Sequence, residues 1–173
     1  MYNPVYQVHY KNKLLRITSV TGHIMTSSFP DSVSDWASTD ISSLFTCPIY
    51  KVPLRKDNQV ISNLRFNSKD ISELILWLDC DREGEAIAFD VIEQSNIPKG
   101  ANVLRAHFSA LTMQDISKAM DNLTQPNENL SQAVNVRQEI DLRIGASFTR
   151  WQTLNFQKTL GPMTKMVLSY GPC

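Results

Sequence analysis

The chain has 173 residues, of which 42% are hydrophobic. This is enough to bury one hydrophobic core, or one and a half. The composition also excludes a disordered chain. Its formal net charge is zero, which excludes a uniformly basic or acidic protein. The charges are unevenly spread, because residues 67–100 hold eight Asp or Glu against three Lys or Arg, whereas both flanking parts are mildly basic. This pattern fits a metal-dependent site on a polyanion, and it also fits an ordinary mixed-charge surface.

The three cysteines, Cys47, Cys80 and Cys173, are far apart in the sequence. No two of them have the spacing of metal ligands or of a redox pair, which favours a reducing, intracellular compartment over a secreted one. The sequence contains no apolar run long enough to cross a membrane and no signal-peptide pattern, so we expect neither feature.

The first half of the chain predicts several strands. Residues 5–10 and 14–20 are rich in β-branched and aromatic side chains and predict a hairpin or two sheet strands. Residues 26–47 are rich in Ser, Thr and Asp and predict an irregular stretch with a short helix near 34–37. Residues 48–54 predict a third strand, and their two prolines favour an edge position.

A strand, a helix and a strand follow in that order. Residues 74–78 form an apolar run, apolar side chains recur at helical spacing from Glu85 onward, and residues 102–105 predict a further short strand. This order predicts a parallel βαβ unit.

The remainder predicts helices. Thr112 and Asp115 form a start like a capping box for a helix that runs to about Asn122. Residues 125–129 predict a loop, and residues 131–156 predict one long amphipathic helix, in which we expect Trp151, like Trp77, to lie in a core. Its apolar positions are residues 133, 136, 140, 144, 148 and 151.

Four carboxylates lie within seven residues directly after the apolar run: Asp79, Asp81, Glu83 and Glu85. Acidic side chains at this density repel one another unless a cation neutralises them. If residues 74–79 form a strand, Asp79 and Asp81 point the same way at its carboxyl end, where open α/β sheets place their chemistry. A ligand set made only of oxygen suits Mg²⁺.

Two other interpretations of the acidic segment compete with a magnesium site. An EF-hand calcium loop matches several positions, but it needs a helix before the loop and a Glu where this chain has Asp90. The positive end of a helix would favour Glu83 and Glu85, but this leaves Asp79 and Asp81 unexplained.

The acidic segment and its flanks resemble a known family. Asp79–Glu85 after an apolar strand resembles the acidic centre of a TOPRIM domain, and the other matching segments resemble the N-terminal third of DNA topoisomerase III, a type IA topoisomerase, in its eukaryotic or archaeal branch. Those segments are residues 18–23, 104–112, 133–150 and 168–173. The resemblance implies a TOPRIM-like, Rossmann-type parallel α/β sheet over residues 1–108 and the start of a mainly α-helical DNA-binding domain over residues 109–173.

The resemblance also implies a chemistry. Type IA topoisomerases cleave one DNA strand through a 5′-phosphotyrosyl link, pass another strand through the gap and reseal the break. By resemblance, Asp79, Asp81 and Glu83 hold Mg²⁺, and Glu85 supports the site from behind them. Single-stranded DNA is the implied partner, together with a helicase and an accessory protein in recombination and repair. The implied location is the nucleus if the protein is eukaryotic, and otherwise the cytoplasm with the chromosome.

The residues that the resemblance assigns to DNA binding are Arg137, Arg143, Arg105, Ser109 and His23. Chemistry alone leaves a plainer alternative for some of them. Glu139 and Arg143 have the spacing of an ordinary helical ion pair, Arg143 and Arg150 can share a solvated face, and histidines such as His23 are commonly packed or surface groups.

Two departures from the family limit the expected activity. The family's first parallel strand, with its Glu-Lys pair, has no equivalent before Val5, and the nucleophilic tyrosine lies beyond the segment that contains Tyr170. We therefore expect the 173 residues alone to be inactive in strand passage. The alternatives are a non-catalytic, Mg²⁺-dependent module that binds single-stranded DNA, and a TOPRIM nuclease, which poorly explains residues 131–156.

Overall fold

The computed structural model describes residues 3–55, 59–161 and 166–171. The chain divides into two compact units: Met1–Met25 with Pro53–Val134, and Thr26–Val52 with Asn135–Cys173. The domain boundary predicted at residue 108 stays a prediction, because a spatial division of this kind does not test where a domain family ends.

The first unit opens with a β-hairpin. Strands β1 (Tyr6–Tyr10) and β2 (Lys13–Ile17) pair antiparallel, with Tyr6 opposite Ile17. The turn residues Lys11 and Asn12 have φ angles of 45° and 63°. Positive φ at both central residues is what a type I′ turn requires, and this turn matches the twist of the flanking strands. The predicted hairpin is confirmed.

The βαβ unit forms the centre of the first unit. Strands β5 (Glu73–Leu76) and β6 (Asn102–Arg105) are parallel neighbours, and helix α2 (Arg82–Gln94) connects them. The predicted parallel pair and the α/β class are therefore confirmed. Helix α1 (Gln59–Asn67) supplies further core side chains, although its polar sequence does not predict a helix. The buried cluster consists of Ile24, Ile61, Leu64, Leu76, Ala88 and Val91.

Residues 26–47 are more ordered than the sequence indicates. They contain most of strand β3 (Met25–Ser28), which pairs with β4 (Tyr50–Pro53), and two short 3-10 helices, Asp31–Val33 and Ile41–Phe45. The strand predicted over 48–54 is confirmed. The short helix predicted near 34–37 is wrong, because the Asp35 carboxylate accepts hydrogen bonds from the Ala37 N–H (3.0 Å) and the Ser38 hydroxyl (2.6 Å) and closes a turn instead.

The helices that follow the βαβ unit agree with the predictions. Helix α3 (Met113–Asp121) begins after Thr112, whose hydroxyl accepts from the Asp115 N–H at 3.2 Å, so the predicted cap is confirmed. Helix α4 (Glu128–Leu160) has 33 residues and is longer at both ends than predicted. No helix within the described residues, α4 included, is long and apolar enough to cross a membrane.

Helix α4 does not bury the apolar face that its sequence pattern indicates. Trp151, predicted to lie in a core, is exposed, and so are four other apolar side chains of the predicted face, Val136, Ile140, Ile144 and Phe148; we call these five residues the α4 stripe. The described side chains that α4 does bury are mostly polar: Ser131, Val134, Ser147, Arg150 and Thr153. The alternative that Arg150 lies on a solvated face is also wrong, since its side chain is buried and its guanidinium donates to the Val33 carbonyl at 2.7 Å.

The connection between β5 and α2 leaves no room for a side chain at Gly84. A Cβ atom there would lie 2.0 Å from the Asp79 carbonyl oxygen and 2.9 Å from its carbon, both backbone atoms that cannot swing away. Gly84 therefore lets the first turn of α2 lie directly against the end of the strand.

We predict that Gly84→Ala lowers the free energy of unfolding by about 1–3 kcal/mol, because the added methyl group forces the two backbone segments apart. Urea unfolding of the 173-residue chain measures the loss. Gly171→Ala is the matched control, since a Cβ at Gly171 meets nothing within 4 Å among the described residues. Equal stability of both variants would show that the β5–α2 connection can open without cost.

Candidate functional site

The four acidic residues lie where strand β5 ends and helix α2 begins, but they differ in exposure. Asp79 and Asp81 are exposed, Glu83 is half-buried with 39% of its side chain accessible, and Glu85 is buried. Three carboxylates therefore face solvent at the carboxyl end of a parallel strand, and the fourth points into the protein.

Asp81 is the N-cap of helix α2. Its Oδ1 accepts a hydrogen bond from the Gly84 N–H at 2.7 Å. This bond satisfies one of the amide groups that a helix start leaves without a partner, and it explains why the helix begins at Arg82 rather than at Glu85. The helix-terminus interpretation thus accounts for Asp81 as well as for Glu83 and Glu85, which is more than the sequence indicates. It does not account for Asp79.

The EF-hand interpretation is wrong. The residues before the acidic segment form the strand β5, whereas an EF-hand loop follows a helix. Helix α2 also begins inside the twelve residues that the calcium loop would need.

The carboxylates are suitable donors for a hard cation, although they are not gathered around one point. Among the described residues, no three His, Cys, Asp or Glu side chains lie close enough together to hold a metal ion. Carboxylate oxygens are the ligands that Mg²⁺ prefers, and exposed side chains change rotamer within nanoseconds. The donor chemistry of Asp79, Asp81 and Glu83 therefore fits Mg²⁺, and their role as ligands stays a prediction.

Beneath the exposed acids lies a buried ion pair. Arg105 Nε donates to Glu85 Oε1 at 2.9 Å, and both side chains are almost fully enclosed, with 0% and 3% of their surface accessible. The two remaining guanidinium nitrogens donate to four backbone carbonyls, those of Leu76 (3.2 Å), Leu78 (2.9 Å), Asp79 (2.5 Å) and Ala106 (2.8 Å). Arg105 thus links the end of strand β5 and the residues after it to strand β6 and, through Glu85, to helix α2.

The second carboxylate oxygen of Glu85 is hydrogen-bonded to the residue just before helix α4. Its Oε2 accepts from the Asn127 N–H at 3.0 Å. The Glu85 carboxylate therefore holds the Arg105 side chain with one oxygen and the Asn127 backbone with the other, and its supporting role in a metal site stays a prediction.

The expected DNA contact of Arg105 needs correction. Its guanidinium is enclosed and its donors point at backbone carbonyls, so it has no face to offer to a phosphate. No local pattern signals this arrangement, because Arg105 ends a short predicted strand and its acidic partner, Glu85, lies 20 residues away in the sequence. A charged side chain at such a position needs an acidic partner in the core.

His23 lies between two carboxylates of helix α2. Its Nε2 is 3.2 Å from Glu83 Oε2, and its Nδ1 is 3.3 Å from Asp90 Oδ2. Asp90 is absent from the predicted site. Its spacing could have revealed it, because Glu83 and Asp90 are seven residues apart and residues two helical turns apart share a face.

The remaining predicted DNA-binding residues differ in the exposure of their side chains. Arg137 is exposed, with Nε 3.6 Å from Asp141 Oδ2. Arg143 is largely buried. Its guanidinium donates to Glu139 Oε1 (2.8 Å) and to the Leu44 carbonyl (2.7 Å). The predicted helical ion pair of Glu139 and Arg143 is therefore present, and Arg143 also fixes the second 3-10 helix.

Ser109 belongs to the first unit and lies on a small open cavity of about 200 Å³. The cavity is lined mainly by polar side chains of the segment after β6 and of helix α3, among them His107, Asp115, Lys118 and Asn122. Trp77, beside this region, stacks on Phe108 with 5.4 Å between ring centroids.

We predict that Glu85→Gln lowers the free energy of unfolding by about 3–5 kcal/mol, because it leaves the Arg105 charge buried without its counter-ion. Thermal or urea unfolding measures the effect. Glu73→Gln is the control, since it removes the same charge from the exposed Lys13–Glu73 pair (2.8 Å), where the expected loss is below about 1 kcal/mol. A loss at Glu85 no larger than at Glu73 would contradict the central role of the buried pair.

Comparison with known proteins identifies the family. The Toprim domain family matches residues 8–111. The chain is 43% identical over 171 residues to DNA topoisomerase 3-beta of Arabidopsis thaliana, covering 97% of this chain and 19% of the relative. It is 42% identical to DNA topoisomerase 3-beta of Drosophila melanogaster (91% of this chain, 19% of the relative). It is 37% identical to DNA topoisomerase 3-alpha of Homo sapiens (99% of this chain, 18% of the relative). The chain therefore spans about a fifth of the length of these curated relatives.

Proposed function

We propose that this chain, which belongs to the Toprim domain family, forms the magnesium-binding part of a type IA DNA topoisomerase. The observation that carries the proposal is the position of Asp79, Asp81 and Glu83 at the carboxyl end of a parallel strand, within a segment matched to that family. The likeness to topoisomerases 3 along nearly the whole chain supports the reaction class.

In the proposed reaction, Asp79, Asp81 and Glu83 would hold Mg²⁺. The ion would supply the positive charge that offsets the charge of the scissile phosphate and helps to align the 3′-hydroxyl for resealing. Arg105 and Glu85 act from below by fixing the backbone that carries Asp79, since Arg105 holds the Asp79 carbonyl itself. The nucleophile is a tyrosine of the whole protein outside these residues, and it forms the 5′-phosphotyrosyl link.

Single-stranded DNA is the proposed substrate of the whole protein. Arg137 offers an exposed guanidinium to DNA phosphates, and Arg143 adds positive charge to the same helix from a fixed position. Ser109, exposed in the first unit, is a further proposed contact. We extend the proposal to an enzyme of recombination and repair that works with a helicase and an accessory protein and, if the protein is eukaryotic, acts in the nucleus, as the resemblance implies.

We predict that the chain binds Mg²⁺ and that Asp81→Ala weakens this binding at least about tenfold, since one of few charged ligands is lost. Isothermal titration calorimetry measures the affinity. Asp81→Asn keeps the amide–carbonyl bond that caps α2 while removing the charge, so a loss in this variant too assigns the effect to metal binding rather than to helix fraying. Wild-type affinity in both variants would contradict the metal role.

We predict that the chain binds a single-stranded oligonucleotide without relaxing negatively supercoiled plasmid. Arg137→Ala should weaken binding several-fold and reduce the slope of log affinity against log salt by about one, as the loss of one phosphate contact does. Fluorescence anisotropy across a salt series measures both quantities, and gel electrophoresis measures relaxation.

Lys99→Ala is the charge control for Arg137→Ala, since it removes an exposed cation outside helix α4. Equal effects of the two variants would reduce the Arg137 contact to general electrostatics. Efficient relaxation by the 173 residues would contradict their proposed inactivity, and metal-dependent nicking without resealing would favour the nuclease alternative.

A further inference from the structure

The imidazole of His23 bridges the exposed and the buried part of helix α2. One ring nitrogen faces Glu83, whose side chain is 39% accessible, and the other faces Asp90, whose side chain is 5% accessible. His23 itself is 28% accessible. The ring therefore connects a proposed metal ligand to a carboxylate fixed in the protein interior.

The backbone that carries His23 is firmly placed. Gly22 before it has a φ of 87°, a left-handed conformation that glycine adopts without a steric penalty. Ile24 after it is a member of the buried cluster, and its carbonyl accepts from the Leu54 N–H at 3.0 Å. The buried position of Ile24 therefore limits how far the adjacent backbone of His23 can move to follow a partner.

The two hydrogen bonds have different consequences. Carboxylate oxygens only accept, so a contact is a hydrogen bond only when the facing ring nitrogen carries a hydrogen; a neutral imidazole donates to one of the two carboxylates and an imidazolium donates to both. Asp90 lies on the buried face of α2 and orients the ring. Glu83 lies in the first turn with a flexible side chain, and a bond from Nε2 reduces the number of rotamers it can occupy.

We propose that His23 is a positioning residue that orients the Glu83 carboxylate for Mg²⁺, with Asp90 fixing the imidazole from the opposite side. The inference rests on the proposed function and assigns His23 a task other than contact with DNA. Ligating carboxylates are commonly held by hydrogen bonds from groups behind them, and loss of such a group weakens metal affinity about 10–100-fold.

A purely structural role makes a different prediction. If His23 only attaches its loop to α2, replacing it changes the stability of the chain. The contact with Glu83 and the contact with Asp90 then contribute alike to that stability. If His23 positions Glu83, the contact of Nε2 with Glu83 affects Mg²⁺ affinity directly. The contact of Nδ1 with Asp90 then affects it only by orienting the ring. Two amide substitutions separate these halves, because the asparagine nitrogen replaces Nδ1 and the glutamine nitrogen replaces Nε2.

The test is Mg²⁺ affinity of the 173-residue chain by calorimetry, with unfolding of each variant measured in the absence of metal. We expect His23→Ala and His23→Asn to weaken binding about tenfold or more, and His23→Gln to restore most of the affinity. His9→Gln, an exposed histidine of strand β1, should bind as the wild type does. Any order in which the asparagine variant equals or exceeds the glutamine variant overturns the inference.

Asp90→Leu keeps the test decisive if the His23 variants do not fold. It keeps the approximate size of the side chain but removes the oxygen that faces the ring nitrogen, and we expect several-fold weaker Mg²⁺ binding; unchanged affinity overturns the inference. Asp81→Asn separates this result from the proposed function. If Asp81→Asn loses Mg²⁺ while the His23 variants bind normally, the metal site stands and the positioning role fails. A wild-type chain that binds no Mg²⁺ overturns both.

Discussion

The buried pair of Arg105 and Glu85 is the interaction on which the first unit depends. Removing two charges from water costs several kcal/mol per ion, and this cost is offset only when good geometry and further hydrogen bonds satisfy both groups. Here the guanidinium has four backbone carbonyls besides Glu85, and the carboxylate has the Asn127 N–H besides Arg105. These bonds can all form only when strands β5 and β6, helix α2 and the start of α4 occupy one arrangement, so the pair selects that arrangement.

The proposed metal site combines a backbone held by hydrogen bonds with carboxylate side chains that are exposed to solvent. The Asp79 carbonyl is held by Arg105, and the absence of a side chain at Gly84 lets helix α2 start against it. The side chains of Asp79 and Asp81 remain in solvent and can turn toward an ion. In the proposed metal site, the side chains can therefore turn toward an ion without a change in this backbone, and water screens the repulsion between the acids in its absence.

The sequence predicts the parts of the structure that depend on local pattern. Apolar runs and helical spacing locate the βαβ unit, and the position of the acids at the strand end follows from it. Arg105 and Arg150 escape such reasoning, because a lone charge on an apolar element can be buried only if distant residues supply its partners. Asp81 as a cap depends on where the helix starts, which is set by one hydrogen bond. The helical period of α4 identifies an apolar face, but the period does not say whether anything covers that face.

The α4 stripe has a practical consequence for handling the protein. Val136, Ile140, Ile144, Phe148 and Trp151 form a row of large, partly exposed apolar side chains at successive turns, of which Phe148 also contacts the Tyr170 ring. Contiguous apolar surface of this kind is attracted to any similar surface, including another copy of itself. Self-association of the isolated 173 residues should therefore increase with protein concentration and with salt, and mild detergent should reverse it, even though the βαβ unit is well packed.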